Sequence, residues 1–227
     1  MKMRYKILIL LIILTGTGFS QSSYTVDYST MGVDNGSSGS LDEMIENAVS
    51  DANTGLNVII NLDIVDLGGG KGLIPISDSL LRINNNSGSI LIQPASGTTV
   101  IQGIEYLHTG ALQGGFGFRI IEGVNVTIKD LNIEEFQTNA NSLAQMGIYA
   151  LDASNLIIET CNFINNDIGV YSDQISCEIK FNDFLDQEIA IEYRTHSAIV
   201  APGTVVLIHD NIIHRSIIYA ANNDAHG

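Results

Sequence analysis

Four copies of one short segment constrain this chain more than any other feature. They read Val126-Thr127-Ile128-Lys129-Asp130-Leu131-Asn132-Ile133, Leu156-Ile157-Ile158-Glu159-Thr160-Cys161-Asn162-Phe163, Cys177-Glu178-Ile179-Lys180-Phe181-Asn182-Asp183-Phe184 and Val206-Leu207-Ile208-His209-Asp210-Asn211-Ile212-Ile213. The central isoleucines, Ile128, Ile158, Ile179 and Ile208, stand 30, 21 and 29 residues apart. Repeats at such spacing, each a pair of short alternating strands, define a solenoid.

Within each copy the residues two before and five after the central isoleucine are also mostly apolar: Val126/Ile133, Leu156/Phe163, Cys177/Phe184 and Val206/Ile213. Alternation of period two places them on the inner face of a pleat. The two residues after each central isoleucine, read as polar, suit a bend between two short strands. A third strand is expected over Gly147–Ala150, Ile168–Tyr171, Ile189–Glu192 and Ile217–Tyr219. Three short strands per turn describe a parallel β-helix. A β-sandwich would instead need hairpin turns every 8–12 residues or so, and those signals are missing. Asn132, Asn162, Asn182 and Asn211 recur just after the bend, and the favoured reading is a structural ladder that satisfies bend backbone from turn to turn.

The amino end carries an address. Lys2, Arg4 and Lys6 precede the apolar run Ile7–Leu14 and the small residues Thr15-Gly16-Thr17-Gly18-Phe19-Ser20. That order is a signal peptide, with cleavage expected after Ser20, and the apolar run is too short to span a bilayer. Removing residues 1–20 takes three basic residues and no acidic one, leaving seven basic against 25 acidic, a balance of −18. Such acidity argues against nucleic acid and anionic membrane as partners, because binding phosphate needs a basic patch. It fits an exported surface.

Residues 21–39 read as polar and turn-rich. Ser40 and Glu43 then form a capping box, and Leu41, Met44, Ile45, Ala48, Val49 and Ala52 recur at helical spacing. Asn53-Thr54-Gly55 closes this helix. Its place before the first strands suits a cap, which a stack of rungs needs at an open end. Strands follow at Val58–Asn61, Leu62–Ile64, Leu73–Ile76, Ser89–Gln93 and Thr99–Gly103, and residues 104–117 read as a loop. The glycine run Gly68–Gly70 lacks the ending of a phosphate loop. Cys161 and Cys177 occupy different positions in the repeat, too far apart along the strand to bond; a buried free thiol is expected at Cys161.

The repeats resemble the right-handed parallel β-helix proteins of the pectin-lyase-like superfamily. Val33-Asp34-Asn35-Gly36-Ser37-Ser38-Gly39-Ser40-Leu41, with Ile45 and Asp51-Ala52-Asn53, resembles the cap of exported bacterial β-helix repeat proteins, although Asp42 and Met44 replace the arginine and alanine of that pattern. The resemblance spans roughly residues 30–222. It implies an all-β fold, a right-handed single-stranded parallel β-helix with an amino-terminal amphipathic capping helix. It also implies a surface or secreted protein, since many relatives are surface proteins and others are polysaccharide lyases and hydrolases.

Active members of that superfamily carry their chemistry on an exposed strand face. The outward position after each central isoleucine gives the column Lys129, Glu159, Lys180 and His209, flanked by Glu178, Asp130 and Asp210. A lyase needs a cation-held carboxylate cluster and a base beside the uronate. Lys180, His209 and Glu159 are the catalytic candidates, with Glu178 and Asp210 as ligands for calcium. A cross-rung charge ladder accounts for the same residues and is preferred, since no arginine lies in the column and aromatic platforms are sparse. Arg194 and His196, in what reads as the longest loop between rungs, are candidate substrate contacts. His108 and His214 are isolated, and the terminal His-Gly at His226 lacks the flanks of a catalytic element.

The expected organisation is a signal peptide over 1–20, an amino-terminal segment and capping helix over 21–56, and rungs over 57–227. Because the chain stops inside a repeat, it is expected to be the amino-terminal piece of a longer protein. The expected function is a non-catalytic exported scaffold, a surface stalk or module contacting carbohydrate or cell-surface components. The alternative is an extracellular lyase or glycoside hydrolase acting on acidic polysaccharide.

Overall fold

Rungs stacked one on the next build the molecule. The computed structural model describes residues 21–27, 39–63, 71–76, 82–96, 98–103, 116–137, 144–173, 175–195 and 205–222. The signal segment 1–20, residues 28–38, Ile64, the glycine run Gly68–Gly70, His108, His196 and Asp224–Gly227 lie outside the described residues. Three sheets run the length of the stack. The first comprises Gln21–Asp27, Asn57–Asp63, Ser89–Pro94, Val126–Lys129, Leu156–Glu159, Cys177–Lys180 and Val206–His209, in that spatial order. The second comprises Lys71–Ile76, Thr98–Gly103, Leu131–Glu134, Asn162–Ile164, Asp183–Leu185 and Ile212–His214. The third comprises Arg82–Ile83, Phe116–Ile121, Met146–Leu151, Ile168–Asp173, Ile189–Thr195 and Ile217–Asn222. The chain visits the sheets in rotation, so each strand pairs in parallel with its counterpart one turn away.

Alternation decides which side chains enter the core. Ile128, Ile158 and Ile179 are fully buried, as are Ile133, Phe163 and Phe184 on the second sheet and Phe118, Ile148, Val170 and Ile191 on the third. The register pairs like with like: Ile128 with Ile158 and Ile179, and Phe163 with Phe184, whose rings stack 4.7 Å apart. From Glu122 onward the described rungs turn their corners with single residues in the left-handed region, a conformation costly for most L-residues. One column of such corners is Asp130, Thr160, Phe181 and Asp210, the second residue of each expected bend. Another is Glu135, Asn165, Asp186 and Arg215, and Asn125 and Asn155 begin a third.

Several expectations need correction. Gln21–Asp27, read as turn-rich, is a strand paired residue by residue with Asn57–Asp63. Among its described side chains the outward ones are polar and Val26 alone is fully buried, so the apolar signal of a two-sided strand is absent. Asn57–Asp63 is one strand where two were expected, and Phe116–Ile121 begins inside the presumed loop. Arg194 and Thr195 belong to the strand Ile189–Thr195 and not to a loop.

The asparagine ladder is two columns. Asn132 and Asn162 are partners on the second sheet, joined by Asn162 Nδ2 donating to Asn132 Oδ1 at 2.8 Å. Asn182 and Asn211 instead occupy the position directly after the left-handed corner, as do Leu131 and Cys161, and point inward. Asn182 Oδ1 accepts the Cys161 N–H at 2.9 Å, and its Nδ2 donates to the Ile158 carbonyl at 3.0 Å. Asn211 repeats both bonds one rung on, to the Asn182 N–H and the Ile179 carbonyl. A further polar ladder, through Asn166, Gln187 and Ser216, serves the second corner in the same way.

The helix Leu41–Ala52 buries Leu41, Ile45, Ala48 and Ala52, with Met44 and Val49 packed at the edge of the core. Ser40 Oγ accepts the Glu43 N–H, while the Glu43 carboxylate accepts from Gly39, one residue earlier than in a standard box. Tyr24 on the first strand donates to Asp51 of the helix at 2.8 Å. Both cysteines are free and buried, and burial pushes each thiol up to about 12.

Candidate functional site

The outer face of the first sheet gathers five of the seven expected site residues. Register places Lys129, Glu159, Lys180 and His209 in one column, and Thr127, Ile157, Glu178 and Leu207 in the column beside it. Parallel strands lie about 4.8 Å apart, so side chains one rung apart can meet. Lys180 Nζ lies 3.0 Å from Glu178 Oε2 and 3.5 Å from Glu159 Oε2. The other Glu178 oxygen is 3.0 Å from His209 Nε2, and His209 Nδ1 is 2.9 Å from Asp210 Oδ2. One continuous network therefore runs Glu159–Lys180–Glu178–His209–Asp210.

Its electrostatics are those of charges that satisfy one another. The hydrogen bond that Lys180 donates to Glu178, together with the Glu178 charge, holds the Lys180 ammonium above the usual lysine range. Asp210 first and Glu178 second hold the His209 imidazole above its ordinary value. His209 and then Lys180 pull the Glu178 carboxyl down. A general base must be free to accept a proton near working pH, and this arrangement favours the protonated form of both Lys180 and His209. Glu178 spends one oxygen on each cation. Among the described residues no group of three or more His, Cys, Asp or Glu side chains is placed to hold a metal ion.

The imidazole offers a direct measurement. The NMR titration of His209 is expected to be centred above 6.5 and to move back toward it in Asp210→Asn and Glu178→Gln. A raised folded value means that the stabilisation is complete below the unfolded histidine value and fades as pH rises through the folded one. An unshifted midpoint would remove the two contacts.

Arg194 is placed elsewhere, on the third sheet. It pairs with the buried Glu192, with Nε 2.6 Å from Oε1, and its guanidinium lies 5.5 Å from the centroid of the Tyr171 ring. Tyr171 stacks on Tyr149 at 5.3 Å, and Tyr149 meets Phe116 at 4.8 Å. This row of rings was not foreseen. Its signal is the tyrosine shared at one offset by Gly147-Ile148-Tyr149 and Gly169-Val170-Tyr171. The ring faces are turned on one another and on Arg194, and burial pushes the Tyr171 phenol up to about 12. His196 lies outside the described residues.

Two further features of the first sheet were missed. A shallow groove of about 420 Å³ meets the charge network at Glu178 and is also lined by Ile157, Leu207, Asn125, Asn155 and Ser176. Phe181, at a left-handed corner, is 54% exposed and meets the His209 ring edge-on at 6.1 Å. The only sequence signal for it is a phenylalanine where the other copies carry Asp130, Thr160 and Asp210.

Among the described residues no helix is long and apolar enough to cross a membrane. A family model described as a right-handed β-helix region matches residues 69–226. No curated protein and no solved structure matches the chain.

Proposed function

The chain belongs to the right-handed β-helix family, and from that premise we propose an exported, non-catalytic scaffold that contacts carbohydrate or other cell-surface components. Residues 1–20 direct export and are removed, and the helix Leu41–Ala52 covers the amino end of the rungs. The mature surface, with a balance of −18, keeps the rod apart from nucleic acid and anionic lipid.

The observation that carries this reading is the closed charge network. A lyase site needs carboxylates open to a cation and a base open to the substrate. Here Glu178 is divided between Lys180 and His209, and Lys180 is held between Glu178 and Glu159. Such a ladder strengthens the contact between rungs, as opposite charges on neighbouring strands do. The aromatic row on the third sheet does the same by stacking.

The test is a lyase assay on the full chain with polygalacturonate and alginate, with and without calcium, read as ultraviolet absorbance of unsaturated products. No product is expected, and added calcium is expected to leave the melting midpoint unchanged. Product formation that disappears in Lys180→Ala or Glu159→Ala would overturn the scaffold reading in favour of an acidic-polysaccharide lyase.

A further inference from the structure

Phe181 carries two costs, and the structural return seen for its ring is one edge-on contact with His209 at 6.1 Å. Its φ is 57°, in the left-handed region where a side chain crowds its own backbone and where asparagine, aspartate and glycine are the residues best suited. It also leaves more than half of its surface in water. The same corner on other rungs is made by Asp130, Thr160 and Asp210, so the bend does not need an aromatic ring. Strained backbone at an exposed position is a mark of function when the fold could be built without it.

The surroundings say what such a ring would meet. Lys180 and His209 lie beside it on the first sheet, with Glu159, Glu178 and Asp210 bound to them, and all five keep part of their side chains in solvent. Their carboxylates outnumber their cations, and the whole chain is acidic, so a polyanion would be repelled. An apolar ligand would find one ring inside a polar rim. A neutral sugar suits both halves: its C–H face lies on the ring, and its hydroxyls reach carboxylate and imidazole groups already aligned by their mutual bonds.

We propose that Phe181 is the recognition residue of a binding site for neutral saccharide, with Lys180, Glu178 and His209 at its rim. The proposal rests on the carbohydrate-contacting reading above and narrows it to one residue and one ligand class.

The experiment compares the full chain with Phe181→Asn, Phe181→Tyr and Phe181→Trp. Binding is measured to immobilised cellohexaose, xylohexaose and mannohexaose, with trigalacturonate as the acidic comparison. The wild type is expected to bind at least one neutral oligosaccharide in preference to trigalacturonate. Phe181→Asn should weaken that binding by about tenfold or more while raising the melting midpoint by about 2–4 °C through relief of the corner. The tyrosine and tryptophan variants should retain binding. If Phe181→Asn binds as well as wild type, Phe181 is not the recognition residue, although carbohydrate contact survives; a lowered melting midpoint would show that the ring supports the fold and would overturn the argument from strain. Preference for trigalacturonate overturns the ligand class alone. Absence of binding to every probe overturns both this proposal and the carbohydrate part of the function.

Discussion

Phe184→Ala is expected to destabilise the protein by about 3–5 kcal/mol, the usual cost of emptying a packed aromatic site. Phe184 is fully buried and its ring lies 4.7 Å from Phe163 at an interplanar angle of 4°. The rung above gives it no room to relax: a Cβ placed on Gly169 would come within 3.0 Å of the Phe184 ring and 2.6 Å of the Ala190 carbonyl. A cavity there is fenced by neighbouring strands and cannot collapse cheaply. Denaturant unfolding measures the loss, and Phe184→Leu, which keeps most of the volume, should lose much less. A change under about 1 kcal/mol in the alanine variant would mean that the interior is not packed rung on rung.

Asn182→Ala has an expected cost of about 2–5 kcal/mol, because it strands several buried polar groups at once. The side chain serves the Cys161 N–H and the Ile158 carbonyl on one neighbouring rung and Asn211 on the other. Alanine fills neither role, and water has no open path to a residue that is fully buried. Asn162→Ala is the control. It removes the bond to Asn132 on the partly exposed second-sheet column, and a loss below about 1 kcal/mol is expected there. Equal losses in the two variants would restore the single ladder that sequence spacing suggests.

These two sites show how far sequence reaches. Period-two alternation announced Ile158, Phe163, Ile179 and Phe184 as inward residues, and they are. It could not sort the asparagines. Asn162 and Asn182 differ by one place relative to the central isoleucine, and one place on a strand is the difference between the two faces. In the repeat of Cys177–Phe184 the inward corner position falls to Asn182, whereas in the repeat of Leu156–Phe163 it falls to Cys161. The register that shows this joins residues 21 apart through hydrogen bonds.

The outer face divides in the same way. Lys129, Glu159, Lys180 and His209 were legible as one column because they share an offset from the isoleucines. That Glu178 would take Lys180 with one oxygen and His209 with the other was not, since it depends on which rung lies beside which. The length between repeats makes Arg194 read as a loop residue, but part of that length extends the strand Ile189–Thr195. A bend position is expected to be polar, and sequence spacing alone does not mark Phe181 as an exposed ring.

By itself the sequence determined the architecture: repeating apolar alternation leaves few ways to bury the recurring inward isoleucines except by stacking turns in parallel. Only the tertiary structure decided which side chains meet. The spacings of 30, 21 and 29 residues between central isoleucines are unequal, and the segments joining the strands absorb the difference. Contacts across rungs therefore depend on a register that no single repeat contains. Hydrogen bonding between neighbouring strands sets that register, closes the charge network around Glu178 and leaves Phe181 facing water at a strained corner.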